Sequence, residues 1–211
     1  KNEIDKDAVY RSLKSIEFEN ITFSFDRDFI LDNTSLSINK GDFVAIMGIS
    51  GIGKSTLLKL LLGVFNVNSG SIYLNTDNSK IFIDKNTRKL FSYVPQGNML
   101  ISGTIKDNIT FINPSATDDE IAKAIEISCA KQFIDELPLG IETVIGERGG
   151  DLSGGQKQRV SISRAFLKES RILIFDDTFS ALDNRTSEKL IENIKELSSE
   201  KTCIIISNKV S

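Results

Sequence analysis

Residues 48–56 read Gly-Ile-Ser-Gly-Ile-Gly-Lys-Ser-Thr. A glycine, four residues, then Gly-Lys-Ser is the spacing of a phosphate-binding loop. Gly48, Gly51 and Gly53 let the backbone curl so that its N–H groups point at phosphate oxygens, and a helix beginning at the loop adds positive partial charge. Lys54 is placed to reach the β- and γ-phosphates of a nucleotide, and Ser55 to offer its hydroxyl to Mg²⁺. With Ser50 and Thr56, these are the candidate phosphate-binding residues.

A second group of the same chemistry lies far along the chain. Residues 152–156 read Leu-Ser-Gly-Gly-Gln and precede a helical pattern over 157–168. Ser153 with Gly154 and Gly155 at a helix start makes a second backbone anion site. One domain seldom needs two phosphate cradles for one nucleotide, so the pair asks for a reason. Residues 171–177 read Arg-Ile-Leu-Ile-Phe-Asp-Asp. An apolar run ending in acids is a buried strand that delivers a carboxylate to a crevice at its C-terminal end. Beside a phosphate loop, Asp176 reads as a Mg²⁺ group rather than a plain polar strand end. Gln96, a neutral donor and acceptor, ends an apolar stretch at residues 91–96. Phe25 ends an alternating run just before a polar turn, where an aromatic either joins the core or stacks on a base.

The elements that must position these groups follow from periodicity. Residues 1–14 read as a solvated lead-in. Residues 16–18 and 21–25 alternate as half-buried strands do, and 36–38 continue that sheet. The apolar run 43–47 reads as a buried parallel strand entering the first loop. A helical segment from Thr56 ends at Gly63. Strands are expected over 69–74, 80–83 and 91–96. Residues 104–111 are short and partly apolar. Residues 117–120, Thr-Asp-Asp-Glu, form a capping box opening a helix with Ile121, Ile125, Cys129 and Phe133 at i+4 spacing. A last helix to about residue 197 and a strand over 202–207 lead to Asn208. These patterns predict an α/β chain forming one domain over 1–211. Its α/β core covers about 15–96 and 157–211, with a helical subdomain over about 97–156.

Bulk properties exclude several classes. The 211 residues are 40% hydrophobic and 26% charged, with net charge −3, ordinary for a globular domain. A sequence pI of about 5.2 argues against a nucleic-acid surface. No apolar run approaches the ~20 residues of a membrane span. The charged residues 1–7 are no signal peptide. The absence of histidine removes His-based metal sites and Ser-His or Cys-His nucleophiles. Cys129 and Cys203 sit among apolar neighbours and read as two reduced core thiols.

The ordered set of motifs resembles the ATP-binding cassette, the nucleotide-binding domain of ABC transporters, from about residue 16 to the end. Residues 48–56 look like the Walker A, Gln96 the Q-loop, 152–156 the LSGGQ signature, 172–176 the Walker B and 180–183 the D-loop with Asp183. Phe25 sits where the family has its adenine-stacking aromatic. Residues 103–109 and 146–149 resemble the exporter branch. The resemblance implies a P-loop NTPase fold with a RecA-like parallel-sheet core, an antiparallel β subdomain and an inserted α-helical subdomain. It implies ATP and Mg²⁺ as cofactors, with Ser55, Gln96 and Asp176 at the metal. It implies Asp177, Gln96 and Asn208 in catalysis. It also explains the two cradles. Two cassettes pack head to tail, each ATP lying between one Walker A and the partner's Ser153, Gly154, Gly155 and Gln156 signature. The partners are then a second nucleotide-binding domain and the coupling helices of a transmembrane domain, on the cytoplasmic face of a membrane. The charged lead-in favours excision from a longer polypeptide.

Two positions depart from the family. Asp177 stands where glutamate follows the Walker B aspartate, and Asn208 stands where the switch histidine follows the last strand. Aspartate is one methylene shorter, and asparagine carries no charge or proton. The expectation is an ABC exporter motor whose own site hydrolyses slowly, as the weaker half of a heterodimer. The other readings are a slow homodimer and a soluble regulatory ATPase of the same class. A P-loop kinase would have no use for the second cradle.

Overall fold

The structure, a computed structural model, describes residues 4–25, 28–48, 51–97, 99–146, 152–168, 170–197 and 200–208. It falls into two compact units. One is drawn from residues 1–91, 170–174 and 198–211, the other from 92–169 and 175–197.

The first unit begins with a helix where a solvated lead-in was expected. α1 (Lys6–Ser12) is capped by Asp5, whose carboxylate accepts the Ala8 N–H. What overturns the expectation is Tyr10. Its ring is buried and its hydroxyl lies 3.1 Å from Thr202 Oγ1. Asp7 pairs with Arg171 at 3.3 Å. An aromatic with a satisfied hydroxyl anchors seven residues that charge alone would leave in water.

β1 (Leu13–Phe25) and β2 (Asp28–Asn39) form an antiparallel pair, joined by β4 (Ser69–Thr76) and β5 (Lys80–Phe82) in the order β2-β1-β4-β5. The two alternating runs expected in β1 are one strand, irregular at Asn20, where φ is +47°. Alternation holds: Ile16, Phe18, Ile21 and Phe23 are buried, while Glu19 is exposed.

β3 (Phe43–Met47) pairs in parallel with β10 (Thr202–Ser207), Phe43 opposite Cys203 and Met47 opposite Ser207. The parallel pairing agrees with the sequence reading, but the burial does not. Ala45 and Met47 are exposed, Met47 at 57%, and the rest of β3 is half-buried. The strand order in this sheet is β3-β10-β9-β6, with β9 (Ile172–Asp176) and β6 (Phe91–Val94). Among the described residues β3 has one strand neighbour, β10, which is buried from Thr202 to Ile206. Burial pushes the Cys203 thiol up to about 12, so it stays protonated, whereas Cys129 is only half-buried. α2 (Lys54–Leu61) follows the first loop.

The second unit is built on α6 (Gly154–Leu167), against which α3 (Ile105–Thr110) and α4 (Asp118–Ile127) pack. Val160 and Ile162 of α6 are fully buried, each contributing about 1.5–3 kcal/mol of burial. The Thr117 capping box is present in full. Its helix, however, ends at Ile127, not beyond Phe133. Cys129 adopts φ +58°, the Ala130 N–H turns back to Ile125 O, and Phe133 sits on a separate α5 (Lys131–Glu136). A second capping box, Thr104 with Asp107, opens α3. A two-residue ladder, β7 (Gly103–Thr104) with β8 (Val144–Ile145), interrupts a stretch without strand periodicity. α7 (Asn184–Glu196) completes the unit.

Candidate nucleotide site

In the first unit, the described glycines of the 48–56 loop have the backbone conformations that the sequence reading asks of a phosphate loop. Gly53 is the residue before α2, at φ +98°. A Cβ there would lie 2.9 Å from Ile30 Cγ2 and 3.2 Å from Ile30 O, so both conformation and space demand glycine. Having no side chain, Gly53 cannot cap the first turn of α2, whose N–H groups and dipole favour an anion there. Gly51 also has positive φ, +87°, in open space. Lys54 is buried, and its Nζ donates to Gly48 O at 2.6 Å, across the mouth of the loop. Ser55 is exposed and Thr56 half-buried. Ser50 lies outside the described residues.

Two more expected residues belong to this unit. Phe25 ends β1 with 49% of its surface exposed. Its ring stands edge-on to Phe23 at 4.9 Å and to Phe65 at 5.4 Å, while those two stack on each other. The pair fixes Phe25 and leaves half its surface for another aromatic. Asn208 leaves β10 at the end of the sheet where Gly48 leaves β3, because Ser207 is in register with Met47. It is exposed.

The second unit brings Gln96 and the two aspartates together. Asp176 ends β9 with 6% exposure. The Tyr93 hydroxyl donates to Asp176 Oδ2 at 2.9 Å. Gln96 Nε2 donates to Asp177 Oδ2 at 3.2 Å. Asp177 adopts φ +45°, ψ +31°, and its carbonyl accepts from Ser180 Oγ at 2.8 Å. Left-handed backbone is rare for residues other than glycine, though aspartate tolerates it better than most. Burial, then the charge of Asp176, pushes the Tyr93 phenol above its ordinary value. The hydroxyl therefore remains a donor throughout the neutral range. Sequence reasoning missed Tyr93. The signal was available: a tyrosine inside an apolar strand needs a partner for its hydroxyl.

The signature residues open α6 in the same unit. Ser153 Oγ accepts the Gln156 N–H at 3.3 Å, and Gln156 Oε1 accepts the Ser153 N–H at 2.9 Å. The expected anion site is thus also a capping box, so Gln156 spans its own helix end. A Cβ on Gly155 would meet Ala181 O at 3.1 Å, whereas Gly154 has open space around it. Asp183 caps α7. Its carboxylate accepts the Thr186 hydroxyl at 2.7 Å and the Thr186 N–H at 2.9 Å, which hold it below the ordinary carboxylate value.

The donor chemistry suits Mg²⁺. Among the described residues no cluster of three or more His, Cys, Asp or Glu could hold a metal. Mg²⁺ bound with a nucleotide needs none, since it takes one or two protein oxygens and completes its shell with phosphates and waters. In the second unit the buried Asp176 carboxylate is a hard oxygen donor of that kind; in the first unit, taken by itself, so is the hydroxyl of the exposed Ser55.

Known proteins resemble this chain over most of its length. A family model described as "ABC transporter" matches residues 31–180. A Rickettsia felis protein named as an export ATP-binding/permease protein is 44% identical over 200 residues, covering 93% of this chain and 35% of that protein. A Staphylococcus aureus protein named as a multidrug export ATP-binding/permease protein is 39% identical over 213 residues, covering 100% of this chain and 37% of that protein. The solved structure of a bacterial Atm1-family ABC exporter with ATP bound superposes with a TM-score of 0.84 at 36% identity, over 94% of this chain and 35% of that one. The chain therefore spans about a third of the length of these relatives. Among the described residues no helix is long and apolar enough to cross a membrane. The mixed parallel and antiparallel sheets, the glycine loop and relatives matching nearly the whole chain agree: it has the P-loop NTPase fold and belongs to the ABC transporter family.

Proposed function

We propose that the chain is the ATP-binding and ATP-hydrolysing motor domain of an ABC exporter. The observation that carries this reading is the glycine-lined loop closed by the buried Lys54. The proposed ATP-binding residues are Phe25, Gly48, Ser50, Gly51, Gly53, Lys54, Ser55 and Thr56, with Ser55, Gln96 and Asp176 serving Mg²⁺. The metal would offset phosphate charge. Asp177 and Gln96 would hold the attacking water in line, and Asn208 would hydrogen-bond the γ-phosphate. The chain acts with transmembrane coupling helices at the cytoplasmic face of a membrane. The relatives' export and permease names support that placing.

A second cassette completes each site in this reading. ATP brings two cassettes together head to tail, with Ser153, Gly154, Gly155, Gln156 and Asp183 facing the partner's ATP. A non-hydrolysable analogue then promotes association in sedimentation runs, with the partner cassette present. If Ser153→Arg left that association unchanged, the signature would have another role.

This chain's own site is the weaker half of a heterodimer. The support is the short Asp177 and the uncharged Asn208 beside an intact signature. Misplacing the water costs about 100-fold or more. The test is steady-state hydrolysis by the chain alone and by Asp177→Glu with Asn208→His. The double variant is expected to be about 10²-fold faster. A wild-type rate matching it would refute the weak site and favour a slow homodimer.

A further inference from the structure

Gln96, Asp176 and Asp177 come from the motifs, but Tyr93, whose hydroxyl meets the Asp176 carboxylate, does not. Tyr93 lies on β6, three residues before Gln96, and its hydroxyl donates to Asp176 Oδ2 at 2.9 Å. Asp176 is 94% buried by its 6% exposure, and Tyr93 is half-buried, so the bond is shielded from water. A carboxylate on a short side chain has one soft torsion at its end, and that torsion is broad. One fixed oxygen sets the plane of the group and the direction of the other oxygen. A buried carboxylate that must meet a cation needs this constraint, because hydrogen bonds behind a ligand orient it and tune its affinity.

We propose that the Tyr93 hydroxyl is a positioning group that orients the Asp176 carboxylate for the divalent cation accompanying the nucleotide. This rests on the ATP-binding reading above. Tyr93 touches neither phosphate nor water in this role; it acts through Asp176 alone. The same short segment thus serves both acids, with Tyr93 on Asp176 and Gln96 on Asp177.

The test is a double-mutant cycle read by metal binding rather than turnover. Mn²⁺ binding to the ATP-loaded chain is followed by electron paramagnetic resonance for wild type, Tyr93→Phe, Asp176→Asn and both together. ATP affinity is also measured without metal. Tyr93→Phe keeps the ring and removes only the hydroxyl. Its Mn²⁺ affinity is expected to fall about tenfold, with metal-free ATP affinity unchanged. In the Asp176→Asn background the same change is expected to add nothing. Unchanged Mn²⁺ affinity in Tyr93→Phe, beside a large loss in Asp176→Asn, overturns the role of Tyr93 alone. A loss as large in the Asp176→Asn background, or loss of metal-free ATP binding, shows that the hydroxyl serves the fold instead. If Asp176→Asn itself binds Mn²⁺ like wild type, the metal reading of Asp176 fails and the proposal fails with it.

Discussion

Gln96 Nε2 and Asp177 Oδ2 lie 3.2 Å apart, joining the end of one strand segment to the residue that follows another. The bond ties down a side chain whose backbone is already constrained at φ +45°. Asp177 is therefore held at both ends, by its own left-handed conformation and by the amide of Gln96. A longer side chain at this position would reach further but would sit less easily on that backbone.

Asp177→Glu is accordingly expected to trade stability for rate. Left-handed backbone costs an ordinary residue about 1–3 kcal/mol, and aspartate is among the less penalised. The variant should lose about 1 kcal/mol, seen as a fall in Tm of about 2–4 °C. Thermal unfolding of both proteins without nucleotide checks this. An unchanged or higher Tm would mean that the backbone at 177 relaxes freely.

Gly53→Ala and Gly51→Ala separate space from conformation. Both residues have positive φ, but only Gly53 faces Ile30 at under 3 Å. Gly53→Ala is expected to lower Tm more than Gly51→Ala, by an additional 1 kcal/mol or so of overpacking. Equal losses in the two variants would show that Ile30 moves aside at no cost.

The α4 capping box makes part of the helical unit acid-sensitive. Glu120 accepts the Thr117 N–H and hydroxyl, the N–H being the larger cause, and is held below its ordinary value. A depressed carboxyl supports stability above its unfolded pKa and loses that support as pH falls through its folded pKa. Glu120→Gln keeps the reciprocal bond without the charge. The Tm gap between wild type and Glu120→Gln should be present at pH 7 and close below about pH 4. A gap that persists unchanged at pH 3 would assign it to packing.

Much of this was legible from residue types. Strong local rules held: the Thr117 box opened its helix, the apolar run 172–176 became a buried strand, and Leu-Ser-Gly-Gly-Gln opened α6. What failed depended on distant partners. Periodicity carried α4 through Cys129, but the left-handed turn at 129 stops it. Apolar composition made β3 look buried, yet burial depends on what packs over the strand's faces, which composition does not show. The charges of residues 1–14 hid one anchoring tyrosine, Tyr10. Tyr93 signalled a hydroxyl in need of a partner, but not that the partner stands 83 residues away.

The central claim is that the 48–56 loop binds ATP, and Lys54 tests it most directly. Titrating a fluorescent ATP analogue into wild type and Lys54→Ala compares the cradle with and without its cation. Hydrogen bonds to charged groups contribute about 1.5–3 kcal/mol, so affinity is expected to fall roughly 10- to 100-fold. Equal affinities in the two proteins would contradict the account, because the nucleotide would then be held somewhere other than this loop.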